Sequence, residues 1–194
     1  MPRPSADDGD ELARLVTLAS TELEPALVAD IRSLMAAAFG DDPDDRFEDA
    51  DWEHALGGRH VLLVAARTVI GHAAVVPRRL WIAGQAVATG YVEAVAVRPD
   101  AQGRGHGSHL MTAVGEHIRS AYELGALGTG RHAFYERLGW RTWQGPTSVR
   151  TADRERRTPD EDGYVLVLPT PTTPIAPLDL GAPIACEWRP GDVW

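Results

Sequence analysis

Two neighbouring features of the sequence could do chemistry together. Glu93 is an acid set inside an apolar run, Val92 to Val97, that reads as a buried strand. A carboxylate in that position needs a reason: it serves as a proton acceptor, or it pairs with an arginine. Just beyond, Arg98-Pro99-Asp100 breaks the strand, because proline cannot continue a ladder and restrains the residue before it. Gln102-x-x-Gly105-x-Gly107 follows, and behind it Leu110, Met111, Val114 and Ile118 recur at helical spacing. Strand, glycine turn and helix make a phosphate cradle. Residues without a Cβ let the backbone approach an anion, and the free N–H groups of the first helical turn point at it.

An isolated G-x-G is also what a glycine-rich helix start looks like, so the context decides. A Walker A loop needs a lysine before its serine, and Gly107-Ser108 has none. A dinucleotide fingerprint needs G-x-G-x-x-G, and Gly103, Gly105 and Gly107 have the wrong spacing. His54 and His72 stand alone, and no His/Asp/Glu set has metal-ligand spacing, so no metal is expected. The single cysteine, Cys186, excludes an intramolecular disulfide and a cysteine-based metal cluster.

At 194 residues the chain suits one well-buried domain, with residues 1–11 read as a disordered, acidic tail and 12–194 as the folded unit. A net charge of −9 disfavours nucleic acid, which asks for a basic face. An acidic chain can attract a cationic small molecule; a generic solvated surface is the alternative. No apolar stretch is long enough to span a membrane. Met1 to Glu11 has no apolar core and does not read as a secretory signal, so a cytoplasmic location is expected.

The elements that must position Glu93 and the glycine turn follow from periodicity. Arg14 to Leu18 reads as a first strand, and Leu27, Ile31, Leu34, Met35 and Ala38 share a face of a helix beginning near Pro25. The acid-rich run Gly40 to His54 enters a short helix stopped at Gly57-Gly58. It reads as an acidic rim for a polycation, against the alternative of a solvated charge run at a helix start. Strands are expected at His60–Ala66, at Thr68–Ile70, and from His72 to Ile82 with Pro77 at an edge or bulge. After the helix behind the glycine turn, from about Gly107 to Tyr122, the chain offers a strand at Leu124–Gly128 and a helix at His132–Leu138. One strand, interrupted by Gly-Pro, is expected from Arg141 to Val149, and a polar loop from Thr151 to Arg157. Strands at Tyr164–Leu168 and Ile184–Trp188 flank an irregular proline-rich connection.

The strand, the Val97-Arg98-Pro99-Asp100 turn and Gln102/Gly105/Gly107, followed by Phe134-Tyr135-Glu136-Arg137-Leu138-Gly139-Trp140, resemble the GNAT superfamily of N-acetyltransferases. The resemblance implies an α/β (α+β) GNAT fold: a mixed, mostly antiparallel central sheet with splayed parallel strands, flanked by helices. It implies acetyl-CoA bound by Val95, Ala96, Val97, Gln102, Gly103, Arg104, Gly105, His106, Gly107 and Ser108. Several further stretches resemble the actinobacterial aminoglycoside 2'-N-acetyltransferases. They are Asp51-Trp52-Glu53-His54, Gly90-Tyr91-Val92-Glu93, Gly145 to Val149, Thr158 to Gly163 and the tail Trp188 to Trp194.

That branch implies direct acetyl transfer, in a ternary complex, to the 2'-amino group of an aminoglycoside-like cation, and a homodimer. Glu93 would take the proton of the incoming ammonium, directly or through water, backbone amides near Val95 would polarise the thioester carbonyl, and Tyr135 would serve the leaving thiolate. Acceptor binding falls to Asp42, Asp51, Glu93, Glu161, Asp192 and Trp194, with Asp41 and Asp45 as alternatives to Asp42. Glu161 stands where the branch has an aspartate. Another acceptor amine (a polyamine, a mycothiol-type amine, a protein N-terminus) or a non-catalytic acyl-CoA-binding regulator would share the same cofactor signature.

Overall fold

The computed structural model describes residues 13–40, 46–175 and 178–194. In chain order the elements are β1 (Arg14–Ala19), α1 (Pro25–Phe39), α2 (Asp49–His54), β2 (Arg59–Ala65), β3 (Thr68–Ile82), β4 (Gln85–Val97), α3 (His106–Ala121), β5 (Leu124–Gly128), α4 (His132–Glu136), β6 (Arg141–Thr142), β7 (Thr147–Arg150), β8 (Glu155–Arg157), β9 (Val165–Pro169) and β10 (Ile184–Glu187).

One sheet runs β6-β9-β5-β4-β3-β10-β7-β8, and β2 and β1 join it along the first half of β3. The pairs are antiparallel except β4–β5 and β7–β10. The expected mixed, mostly antiparallel sheet is therefore present. β3 is a single long strand where the sequence suggested two segments; it lies on β4 along one edge and is shared by β2 and β10 on the other. On that shared edge β2 reaches Val75 and β10 starts at Leu80. Pro77 sits in the gap, where a residue without an N–H breaks no ladder.

Alternation along β2 and β3 sends side chains to two helical layers. Leu62 and Ala74 pack with Ile31, Leu34 and Met35 of α1 and Trp52 of α2. Val61, Ala73 and Val75 pack on the other face with Leu110, Met111, Val114 and Ile118 of α3. The helical faces read from the sequence are the buried ones.

Two expectations need correction. The stretch Arg141 to Val149 is not one strand: β6 pairs with β9, while β7 pairs with β10 and β8 toward the opposite end of the sheet. Between them the amides of Gln144 and Gly145 both donate to the Leu180 carbonyl at 2.9 Å, and the Trp143 indole donates to the Ala182 carbonyl. A tertiary partner far along the chain draws the backbone across. Thr151 to Arg157 is not all loop, since Glu155–Arg157 pairs with β7. All three residues are exposed, so this edge strand carries no apolar alternation to read. Among the described residues no helix is long and apolar enough to cross a membrane.

Candidate active site

β4 and β5 run parallel for only three pairs, Thr89–Leu124 to Tyr91–Ala126, and then diverge. At the divergence β4 carries a bulge: Ala74 pairs with Glu93 and His72 with Ala96, so Ala94 and Val95 together oppose Ala73. Ala94 has φ +51°, a left-handed conformation that is unusual for a residue with a Cβ. The gap opens into a cavity of about 910 Å³ that takes in Glu93 to Val97, the glycine turn, and the start of α4. Beyond Tyr91 the β5-facing edge of β4 has no partner strand, so its polar backbone groups face the cleft.

At one end of this cavity lies the anion cradle. A tight turn at Pro99–Ala101 follows β4, and the Gln102 side chain donates from Nε2 to the Val97 carbonyl at 2.9 Å, fastening the loop to the strand it leaves. Gly105 caps α3 with φ +83°, which glycine adopts without strain. A Cβ on Gly107 would lie 3.3 Å from the Phe134 ring, so glycine here keeps the cradle open against α4. The first amides of the sixteen-residue α3 have no intrahelical acceptor, and the helix dipole favours an anion there. An elongated ligand with phosphates at one end fits these residues: the phosphates at the α3 start, the remainder along the free edge of β4. Val95, Ala96, Val97, Gln102, Gly103, Gly105, Gly107 and Ser108 all line the cavity. Arg104 and His106 belong to the same turn but are not part of its wall.

The cavity is also lined by acids. Glu93, Glu161, Asp192 and Trp194, brought from β4, from the turn after β8 and from the tail beyond β10, line the same space. Glu93 is largely buried and paired with Arg189 at 2.6 Å. Burial pushes its carboxyl above the usual range, Arg189 and Arg78 pull it down, and Asp192 pushes it up again. Burial and the nearby Asp192 and Asp160 raise Glu161 in the same sense. The base and ion-pair readings of Glu93 are thus both represented in its surroundings: it has an arginine partner and it faces the cavity.

The tail is held by one buried and one partly buried arginine and by hydrogen bonds. Arg78 donates to the carbonyls of Glu187 and Val193 at 3.0 and 2.8 Å, and Arg189 donates to those of Asp192 and Trp194 at 2.6 and 3.2 Å. The Trp194 indole donates to Thr158 Oγ1 at 3.0 Å, tying the tail to the turn that carries Glu161. That turn is pinned in turn by Asp162, which accepts from Thr147 and Arg157 and is held well below the usual carboxylate range by the Arg157 bond. His54 of α2 meets the Pro190 carbonyl at 2.7 Å.

Tyr135 stands on α4, across the cavity from β4. Its ring is buried edge-on against Phe134 and Trp140, at 4.9 and 6.1 Å between centroids. Burial pushes its hydroxyl up to about 12, so it keeps its proton at neutral pH. The helix His132–Leu138 expected from sequence is shorter, ending at Glu136.

Not every expected acceptor residue gathers here. Asp51 does not line the cavity; its carboxylate accepts the Glu48 amide at 2.7 Å and caps α2. Asp41, Asp42 and Asp45 lie outside the described residues. Reading the sequence missed Arg189, 96 residues from its partner Glu93, and it missed Tyr91 and Tyr164 as cavity walls. A buried acid announces that some cation must meet it, but spacing does not say which. Among the described residues no His/Cys/Asp/Glu group could hold a metal ion.

A family model described as an acetyltransferase (GNAT) domain matches residues 21–143. The aminoglycoside 2'-N-acetyltransferase of Mycolicibacterium fortuitum is 45% identical over 184 residues, 94% of this chain and 91% of that one. Among solved structures, the GNAT family N-acetyltransferase YhbS of Escherichia coli, in complex with CoA, superposes with a TM-score of 0.64 at 16% identity. It spans 95% of this chain and 94% of its own, and at that identity it speaks for the fold alone. A GCN5-related N-acetyltransferase from Kribbella flavida matches at 26% identity and a TM-score of 0.56, over 69% of this chain and 34% of that one.

Proposed function

Since this chain belongs to the GNAT family of acetyltransferases and takes its acetyl group from acetyl-CoA, we propose that its acceptor is the 2'-amino group of an aminoglycoside-like polycation, acetylated directly in a ternary complex. One observation carries the reading: three carboxylates from separate elements, Glu93, Glu161 and Asp192, line the same cavity as the anion cradle. Two of them are raised by burial and by a neighbouring acid, an arrangement that a bound cation relieves. The likeness to the M. fortuitum aminoglycoside 2'-N-acetyltransferase supports the same acceptor class.

Acetyl-CoA supplies an acetyl thioester, whose carbonyl carbon exchanges a C–S bond for a C–N bond. Gln102, Gly103, Gly105, Gly107 and Ser108 hold its phosphates, and the free edge of β4 over Val95 to Val97 holds the arm that follows. An amine arrives as an ammonium and must lose a proton before it can attack. Glu93 takes that proton, and its raised affinity for protons suits the task. Backbone amides near Val95, at the bulge, hold the negative charge that develops on the carbonyl oxygen. Tyr135 keeps its proton at neutral pH and supplies it on the sulfur side. Glu161, Asp192 and Trp194 hold the remaining charges and ring of the acceptor. Asp51 contributes through α2, which the tail touches, and Asp42 belongs to the same acceptor assignment. Residues 12–194 act as one acetyltransferase unit, in a homodimer and in the cytoplasm.

Thiol release from acetyl-CoA with gentamicin or tobramycin, beside kanamycin A, amikacin and spermidine, tests the proposal. Turnover on the 2'-amino compounds, with little on kanamycin A and amikacin, is the expected result. Kanamycin A carries a hydroxyl at the 2' position, so equal turnover on it would assign the reaction to another amine. Turnover on spermidine alone, or on none of these, would overturn the acceptor assignment.

A further inference from the structure

A chain of hydrogen bonds, buried at its centre, runs from the end of α2 to the β4 bulge. Ser20 Oγ lies 2.9 Å from His60 Nε2, His60 Nδ1 lies 2.9 Å from His72 Nε2, and His72 Nδ1 lies 2.7 Å from the Ala94 carbonyl. At the outer end the amides of Gly57 and Gly58 reach Ser20 Oγ at 2.9 and 3.2 Å. Both histidines are fully buried, and the Trp52 ring of α2 packs against the pair at 5.8 and 6.3 Å.

The last acceptor fixes every proton in the chain. A carbonyl can only accept, so His72 carries its hydrogen on Nδ1. Burial keeps the ring neutral, pushing it down to about 3, so its Nε2 is bare and must accept from His60 Nδ1–H. His60, pushed down to about 4, is neutral as well, and its Nε2, at 2.9 Å, takes the Ser20 hydroxyl hydrogen in preference to the Gly58 carbonyl at 3.3 Å. Ser20 Oγ then receives the two glycine amides. All bonds donate in one direction, toward Ala94.

Ala94 is where that direction matters. Its left-handed backbone is disfavoured for a residue with a Cβ, and its carbonyl is turned out of the ladder. Without a buried donor for that carbonyl, the bulge loses the hydrogen bond that ties it to β3 and is freer to relax into regular pairing. Relaxation would rotate Val95 and Glu93, which flank it, out of the cleft. The geometry points to His72 as a positioning residue for acetyl transfer: through the one-way chain Ser20–His60–His72 it holds the Ala94 bulge, and with it Glu93 and the Val95 amide, in the transfer geometry. This rests on the assignment of acetyl transfer to that cavity, and it adds residues that touch neither acetyl-CoA nor acceptor.

The test compares His72→Asn and His72→Phe. Asparagine places a donor near the position of Nδ1; phenylalanine keeps the ring and loses the donor. Phenylalanine is expected to lower kcat about tenfold to a hundredfold, the order of loss that follows a small misplacement of reacting groups. CoA affinity by calorimetry should stay within about twofold, since the cradle is untouched, and asparagine should recover most of the kcat. Nitrogen-15 spectra of the imidazoles in the free protein should show His60 and His72 as neutral Nδ1–H tautomers. Equal kcat losses in both variants, an unchanged kcat in the phenylalanine variant, or a bare His72 Nδ1 would each overturn the proposal. The spectra report on the chain even if none of the amines is acetylated, so the two readings fail separately; should the phenylalanine variant not fold, asparagine and the spectra still decide.

Discussion

Arg189 holds Glu93 at 2.6 Å and with the same guanidinium carries the carbonyls of Asp192 and Trp194. The proton acceptor on the central strand and the acceptor wall on the tail are therefore one mechanical unit. The arginine partner keeps Glu93 nearer its ionised form than burial alone would allow, and ionised is the state in which it can take a proton.

Replacing Arg189 with methionine removes the charge that pulls Glu93 down, so its carboxyl rises further. Activity depends on the carboxylate, so the acidic limb of the kcat/KM profile should move to higher pH. Glu93→Gln should flatten that limb and lower kcat by about a hundredfold or more, the usual worth of a general base. Both are read from thiol release between pH 5 and 9. An unshifted limb in the Arg189 variant would show that Glu93 does not govern it.

Tyr135→Phe keeps the ring between Phe134 and Trp140 and removes only the hydroxyl. A fall in kcat of about tenfold to a hundredfold is expected, with CoA affinity unchanged. With the hydroxyl pushed up to about 12, no alkaline limb from Tyr135 should appear below pH 10.

Glu161→Gln and Asp192→Asn should raise KM for a polycationic acceptor severalfold, more at low salt than at high salt, and leave KM for acetyl-CoA alone. Asp51→Ala gives a contrasting outcome. Its carboxylate caps α2, so its loss should cost about 1 kcal/mol of stability, read by thermal melting. A KM effect with no loss of stability would place Asp51 with the acceptor.

The histidine pair makes stability depend on pH. In the unfolded chain both rings titrate near 6.5; in the fold they titrate at about 4 and about 3. Between those values the unfolded chain holds more protons, so stability is full above pH 6.5 and falls as the pH drops, by up to about 1.4 kcal/mol per pH unit for each ring. The loss levels off below about pH 3. Denaturant midpoints between pH 7 and 5 should therefore fall less steeply in His72→Asn than in the parent chain.

Much of this molecule is legible in its sequence because the signals are local. Helix α3 follows from the spacing of Leu110, Met111, Val114 and Ile118, and the anion cradle from Gln102, Gly105 and Gly107 placed between strand and helix. Glu93 declares itself by interrupting an apolar strand. Arg189, by contrast, has no mark that separates it from eighteen other arginines, since the chain has no lysine. His72 reads as an isolated histidine and His60 as the start of a strand, until adjacent strands place the two rings 2.9 Å apart. The fate of Arg141 to Val149 was likewise settled by Leu180 and Ala182 from a distant segment. Periodicity and turn chemistry act over a few residues, so the chain itself determines its helices, strands and glycine turn. Pairing across a sheet and the clamping of a tail are choices among many chemically equivalent partners, and only the packed fold brings one of each within reach.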